Sequence, residues 1–148
     1  MNMKAAKPIE ILLIEDSPSD AALTIEALQE GKIANNLNRA ADGVEALAYL
    51  KQQGKFAESP RPDLIMLDLN LPKKDGREIL RELKTDPSFK LIPIIVLTTS
   101  RADKDVLQSY ELNANCYITK PVDFQQFIEV VKSIERFWLS VVTLPPMP

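Results

Sequence analysis

The sequence predicts an α/β domain in which a doubly wound, five-stranded parallel sheet carries five helices. Two observations lead there. Short apolar runs of strand length recur along the chain, and Leu64 to Leu67 and Ile94 to Leu97 lack the polar alternation of a half-exposed strand, as suits strands covered on both faces. Between the runs lie stretches with apolar residues at three- and four-residue spacing. Such alternation implies right-handed βαβ crossovers, with helices on both faces of the sheet.

Ile9 to Ile14 reads as the first strand, with Glu15-Asp16 at its carboxyl end. Ser17 stands as N-cap before Pro18 at the first helical position, and Asp20 gives a start like a capping box. Ala22, Ile25, Ala27 and Leu28 form the apolar stripe of this first helix, which Gly31 ends. Leu37 to Ala40 is a weak second strand, read mainly from its position. Asp42-Gly43 turns the chain into a second helix marked by Val44, Leu47, Ala48 and Leu50, and Lys51 to Pro62 reads as a frayed helix end and a surface loop. The third strand, Leu64 to Leu67, delivers Asp68 to the carboxyl edge of the sheet, where open α/β sheets bind ligands. Asp75-Gly76 leads into a third helix through Ile79, Leu80 and Leu83, stopped by Asp86-Pro87. Ile94 to Leu97 is the fourth strand and ends at Thr98-Thr99-Ser100. A fourth helix is expected from about Asp103 to Leu112, then a turn at Asn113 and Asn115, a short strand Cys116 to Ile118, and Lys120-Pro121. The last helix starts near Asp123 and carries Phe124, Phe127, Ile128, Val131, Ile134 and Trp138.

The totals narrow the function. A length of 148 residues suits one domain, with residues 1–8 as an N-terminal extension, 9–137 as the folded unit and 138–148 as an apolar C-terminal extension. With 18 basic and 21 acidic residues the net charge is -3, which gives no overall attraction to nucleic acid or anionic lipid, so neither is an expected partner. One cysteine cannot form an internal disulfide, and no apolar run approaches a membrane span, so the chain is expected to be cytoplasmic. The absence of histidine excludes a Ser-His-Asp triad, a histidine-ligated metal and a self-made phosphohistidine. Its chemistry rests on carboxylates, hydroxyls and lysine.

Glu15-Asp16, Asp68, Thr98 and Lys120 all fall at the carboxyl ends of proposed strands. Singly each has a plain explanation: a helix cap, the start of a loop, the end of a strand, a solvated lysine. Together, with Ile14-Glu15-Asp16-Ser17, Leu67-Asp68-Leu69-Asn70-Leu71-Pro72 plus Asp75-Gly76, Val96-Leu97-Thr98-Thr99-Ser100 and Tyr117-Ile118-Thr119-Lys120-Pro121, they resemble the receiver domain of bacterial two-component response regulators, a flavodoxin-like fold. The resemblance runs from about Ile9 to Phe137. Within that family, Asn70 through Glu78 and the Phe137-Trp138-Leu139 tail are most similar to cyanobacterial phytochrome-associated regulators.

The resemblance implies that Asp68 accepts a phosphoryl group from the phosphohistidine of a sensor histidine kinase, here of the phytochrome type. It implies one Mg²⁺, held directly by Asp16 and Asp68, through water by Glu15, and by the backbone carbonyl of Asn70. Lys120 and Thr98 would contact the phosphoryl oxygens and read the modification. Tyr117 falls at the family's aromatic switch position, although a half-buried strand aromatic explains it equally well, and the Lys120-Pro121 bond is expected to be cis. Thr99 stands where many receivers have a smaller residue and is expected to crowd the attacking water, whereas Lys73 and Lys74 read as a solvated pair. The chain would be a phosphoacceptor with its own autophosphorylation and autodephosphorylation chemistry, not an enzyme acting on other substrates.

Only Leu139 to Pro148 follows the last helix, so a single-domain regulator without an output domain is expected, acting on an unidentified downstream protein. Six of the eight residues from Phe137 to Leu144 are apolar. Phe137, Trp138, Val141, Val142 and Leu144 are therefore the candidate surface of a homodimer, the alternative being a tail folded back on its own domain. Other readings fit less well. A haloacid-dehalogenase-type phosphatase needs a second acid where Asn70 stands, a nucleotide-binding module would not put Glu15-Asp16 at its phosphate site, and a pseudo-receiver would not keep the full set of charged residues.

Overall fold

The computed structural model describes residues 8–30, 34–71, 75–99 and 116–133. The strands are β1 (Ile9–Ile14), β2 (Asn35–Ala40), β3 (Leu64–Asp68), β4 (Ile94–Thr98) and β5 (Cys116–Thr119). The helices are α1 (Pro18–Gln29), α2 (Gly43–Leu50), α3 (Gly76–Thr85) and α4 (Phe124–Ser133). The helix expected over 103–112, the Lys73-Lys74 pair, the residues 1–7 of the N-terminal extension and the dimer candidates Phe137, Trp138, Val141, Val142 and Leu144 lie outside the described residues. No helix among the described residues is long and apolar enough to cross a membrane.

All five strands are parallel, in the order β2-β1-β3-β4-β5. The chain steps from β1 outward to β2 and returns on the other side of β1 as β3, which puts the topological switch between β1 and β3. Ile14 pairs with Leu67, Asp68 with Leu97 and Thr98 with Thr119, so the polar residues that follow these positions gather at one end of the sheet.

Side chains alternate across the strands into two buried layers. Leu12, Ile14, Ile65, Leu67, Ile94 and Val96 pack with residues of α2 and α3, including Ala46, Tyr49, Ile79 and Leu83. Ile11, Leu13, Met66, Ile95 and Leu97 pack on the other face with Ala21 and Leu28 of α1 and Phe127 and Val131 of α4. β3 and β4 are buried along their whole length, which is why their sequences show no polar alternation.

Three local expectations shift. β2 begins two residues earlier than Leu37, because an edge strand exposed at Asn36 and Asn38 needs no apolar pattern there. α1 buries Ala21, Thr24, Ala27 and Leu28, and α2 buries Ala46, Tyr49 and Leu50, while Ala22 is exposed and Val44 is 60% exposed. Both helices carry apolar residues on more than one side, so contact with the sheet, and not hydrophobicity alone, sets their phase. The segment after α2 is also more ordered than a surface loop. It contains a 3₁₀ turn at Gly54–Phe56, Phe56 meets Tyr49 edge to face at 5.5 Å, and Ser59 Oγ donates to the Tyr49 carbonyl at 2.8 Å.

Gly76 opens α3 at very short range from the end of β3. Its N–H donates to the Leu69 carbonyl at 3.1 Å, and a Cβ there would stand 2.6 Å from the Asp68 carbonyl oxygen and 2.7 Å from Leu69 Cα. Because the obstructing atoms are backbone, they yield only by moving the strand end that carries Asp68. Gly76→Ala is therefore expected to destabilise the domain by about 1–3 kcal/mol, the usual cost of overpacking, read as a lower urea midpoint. An unchanged midpoint would mean that the turn has slack.

Candidate functional site

Each acidic residue is delivered by a strand end or the helix start that follows it. Glu15 extends the β1 ladder by one bond, its N–H donating to the Ala40 carbonyl at 3.0 Å, and its side chain is fully buried. Asp16 is exposed. Ser17 then caps α1, its Oγ accepting from the Asp20 N–H at 3.2 Å, with Pro18 at the first helical position where no N–H is needed. Asp68 is 3% exposed at the end of β3, and its Oδ1 accepts from the Asn70 N–H at 3.0 Å.

Lys120 reaches into this group from the end of β5. Its N–H donates to the Thr98 carbonyl at 2.8 Å, which ties the buried Thr98 and Lys120 into one ladder, and the Lys120-Pro121 bond is cis as expected. The ammonium donates to Glu15 Oε1 at 2.9 Å, Asp20 Oδ2 at 3.0 Å and Asp68 Oδ2 at 3.4 Å. The expected gathering of Glu15, Asp16, Asp68, Thr98 and Lys120 at one edge is thus observed. Asn70 is exposed beside it, and Tyr117 is half-buried against the layer formed with α2 and α3.

Two participants were not expected from the sequence. Asp20, read there as a capping residue, puts its carboxylate on Lys120 instead of back onto the helix start. Asp16 precedes the extended N-cap Ser17 and lies outside α1, so no helical spacing from it points to Asp20. Arg39, on β2, was not singled out. Its Nε donates to the Glu15 carbonyl at 2.9 Å and its Nη2 to the Asp16 carbonyl at 3.1 Å, so one planar fork fixes two successive peptides of the acidic turn.

The electrostatics follow from one ammonium among several carboxyls. Burial, then the neighbouring Asp68 carboxyl, pushes the Glu15 pKa up to about 7, with Lys120 opposing. Burial alone would lower the Lys120 pKa, but its hydrogen bonds to Glu15 and Asp20 and the charges of Asp68 and Glu15 outweigh this and hold it above the usual lysine range. Lys120 therefore stays charged, while Glu15 shares its site with a proton near neutrality.

This surplus of negative charge fits a divalent cation. Glu15, Asp16 and Asp68 each offer an oxygen, all within 4.8 Å of one another. Oxygens on opposite sides of an octahedral Mg²⁺ stand roughly 4.2 Å apart, so small side-chain rotations or one bridging water bring the three onto a single ion. Thr99 is exposed and, with Asp20, Leu23, Lys120 and Pro121, lines a cavity of about 280 Å³ beside the site.

The model of the response regulator receiver domain matches residues 11–132. Response regulator Rcp1 of Synechocystis sp. is 50% identical over 145 residues, covering 98% of this chain and 99% of Rcp1. Among solved structures, the Mn²⁺-bound form of Rcp1 aligns with a TM-score of 0.73 at 52% identity, over 94% of this chain and all of that one. The phosphorylated cyanobacterial phytochrome response regulator RcpA aligns with a TM-score of 0.74 at 50% identity, over 94% and 99% of the two chains. A family match across most of the length, on a fold and an acidic edge of this form, makes the chain a member of the response regulator receiver family.

Proposed function

We propose that this protein takes up a phosphoryl group on Asp68 from the phosphohistidine of a sensor kinase in a Mg²⁺-dependent reaction, and that Thr98, Lys120 and Tyr117 read the modified state. The observation that carries this is the position of Asp68: a nearly buried carboxylate at the switch-point edge, with Lys120 on one oxygen and Glu15 and Asp16 within reach of a shared cation. An Asp68 oxygen attacks phosphorus, the O–P bond forms as the bond from phosphorus to the imidazole nitrogen breaks, and the product is an acyl phosphate. Glu15, Asp16 and Asp68, with the Asn70 carbonyl, would hold the Mg²⁺, which supplies positive charge to the transferring phosphoryl oxygens. Lys120 adds a second positive charge and Thr98 a hydroxyl hydrogen bond.

A phytochrome-type kinase as the donor is supported by the similarity to RcpA, a phytochrome response regulator. A homodimer is supported by the apolar run from Phe137 to Leu144, whose exposure in a monomer would be costly. The chain is thus a phosphoacceptor in a relay and not an enzyme with a separate substrate.

Intact mass after incubation with Mg²⁺ and acetyl phosphate tests the acceptor. Wild-type protein should gain one phosphoryl group and Asp68→Asn none; a gain in both would move the site elsewhere, and a gain in neither would favour a partner-binding receiver without phosphotransfer. The homodimer is tested by sedimentation: a chain truncated after Arg136 should run as a monomer where the full chain runs as a dimer.

Glu15 makes stability depend on pH in the metal-free protein. Its folded pKa of about 7 lies above the ordinary 4.5, so between these values the folded state holds a proton that the unfolded state has lost. Stability therefore falls as pH rises through this window, by about 3 kcal/mol for this group alone. Lys120, whose pKa is raised, contributes its stability throughout that range and does not alter the slope. In chelator, thermal melts from pH 5 to 8 should slope downward in wild type and be flatter in Glu15→Gln, and Mg²⁺ should stabilise wild type most above pH 7. Parallel slopes in the two proteins would show that Glu15 is not the titrating group.

A further inference from the structure

The three carboxylates that hold Lys120 are not equivalent. Glu15 and Asp68 belong to the trio with oxygens within 4.8 Å of one another, so a cation competes with Lys120 for both. Asp20 stands outside that trio. It lies on the first turn of α1 with its side chain 39% exposed, and it meets the ammonium at 3.0 Å, against 3.4 Å for Asp68.

We propose that Asp20 is a positioning residue that anchors Lys120 to α1 and so sets the balance between cation and phosphoryl group at this edge, an inference that rests on the phosphoacceptor reading. An ammonium has three protons to donate, and Glu15, Asp20 and Asp68 supply three acceptors. To meet a phosphoryl oxygen on Asp68, Lys120 must release or share one of them. Once a cation draws Glu15 and Asp68, Asp20 is the carboxylate of the three that still competes with the phosphoryl group for the ammonium. It does so from the open side, since Asp20 and Lys120 both line the cavity that reaches Thr99 and Pro121.

The two ligands respond to Asp20 in opposite directions. With Asp20 neutralised, Lys120 turns its full charge on Glu15 and Asp68, and one negative charge near the cation is gone; both changes weaken cation binding. The same change removes the competitor for Lys120 and strengthens binding of an anionic phosphoryl-like group. General damage to the site would instead weaken both.

Calorimetric titration of the full chain separates these cases, with MgCl₂ alone and then with beryllium fluoride, a mimic of the phosphoryl group, at saturating Mg²⁺. Asp20→Asn should bind Mg²⁺ about 3- to 10-fold more weakly and fluoroberyllate more tightly by a similar factor, as fits a partly exposed ion pair. Asp20→Glu, which keeps the charge, should return both toward wild type. Any pattern other than opposite shifts in Asp20→Asn overturns the inference, including no change and parallel weakening. If wild type binds Mg²⁺ but no fluoroberyllate, the phosphoacceptor reading fails and takes this inference with it; uptake by wild type without opposite shifts in the variant removes the inference alone.

Discussion

The structure turns on the ammonium of Lys120, held at the end of the sheet by more carboxylates than it can neutralise. Glu15 and Asp68 are almost wholly out of water, and placing two such groups side by side is unfavourable unless something positive joins them. Lys120 meets that need only in part. It satisfies an oxygen on each of three side chains, yet Glu15 remains protonatable near neutrality and Asp16 has no share of Lys120 among the observed bonds. A site that is incompletely neutralised by its own protein is one that a cation completes.

What keeps this arrangement from relaxing is the rest of the fold. Two apolar layers clamp β1, β3 and β4 from both faces, so the strand ends cannot separate to relieve the repulsion. The pairing of β1 with β3 sets Glu15, one residue past the end of β1, beside Asp68 at the end of β3. Arg39 pins the first acidic turn by its carbonyls, leaving the carboxylates themselves available, and Gly76 lets α3 begin against the backbone of Asp68. The strain is thus local and electrostatic, and the hydrophobic layers bear it.

How far the sequence made this legible depends on the range of the interaction. β3 and β4 could be read directly because complete burial leaves an unbroken apolar run, and α3 because its apolar residues occupy one face. The start of β2 could not, since an edge strand is free to be polar, and the phases of α1 and α2 could not, since their apolar residues surround the helix. The main site residues were legible because four strand ends carried reactive groups in order. Arg39 and the true partner of Asp20 were not: one bonds backbone carbonyls 23 and 24 residues away and the other a lysine 100 residues away, and no local pattern encodes either.

Asp20 shows why that blind spot falls where it does. At the sequence level a residue three after an N-cap serine belongs to the helix start, and the Ser17 Oγ does accept the Asp20 N–H. The backbone of Asp20 obeys the local rule while its side chain answers to tertiary electrostatics, turning to a lysine already crowded by acids. Local capping and long-range charge act on different atoms of one residue, so each is satisfied without cost to the other. A residue of this kind reads as ordinary helix grammar from the sequence, and its second role emerges only when the last strand brings Lys120 to the same edge.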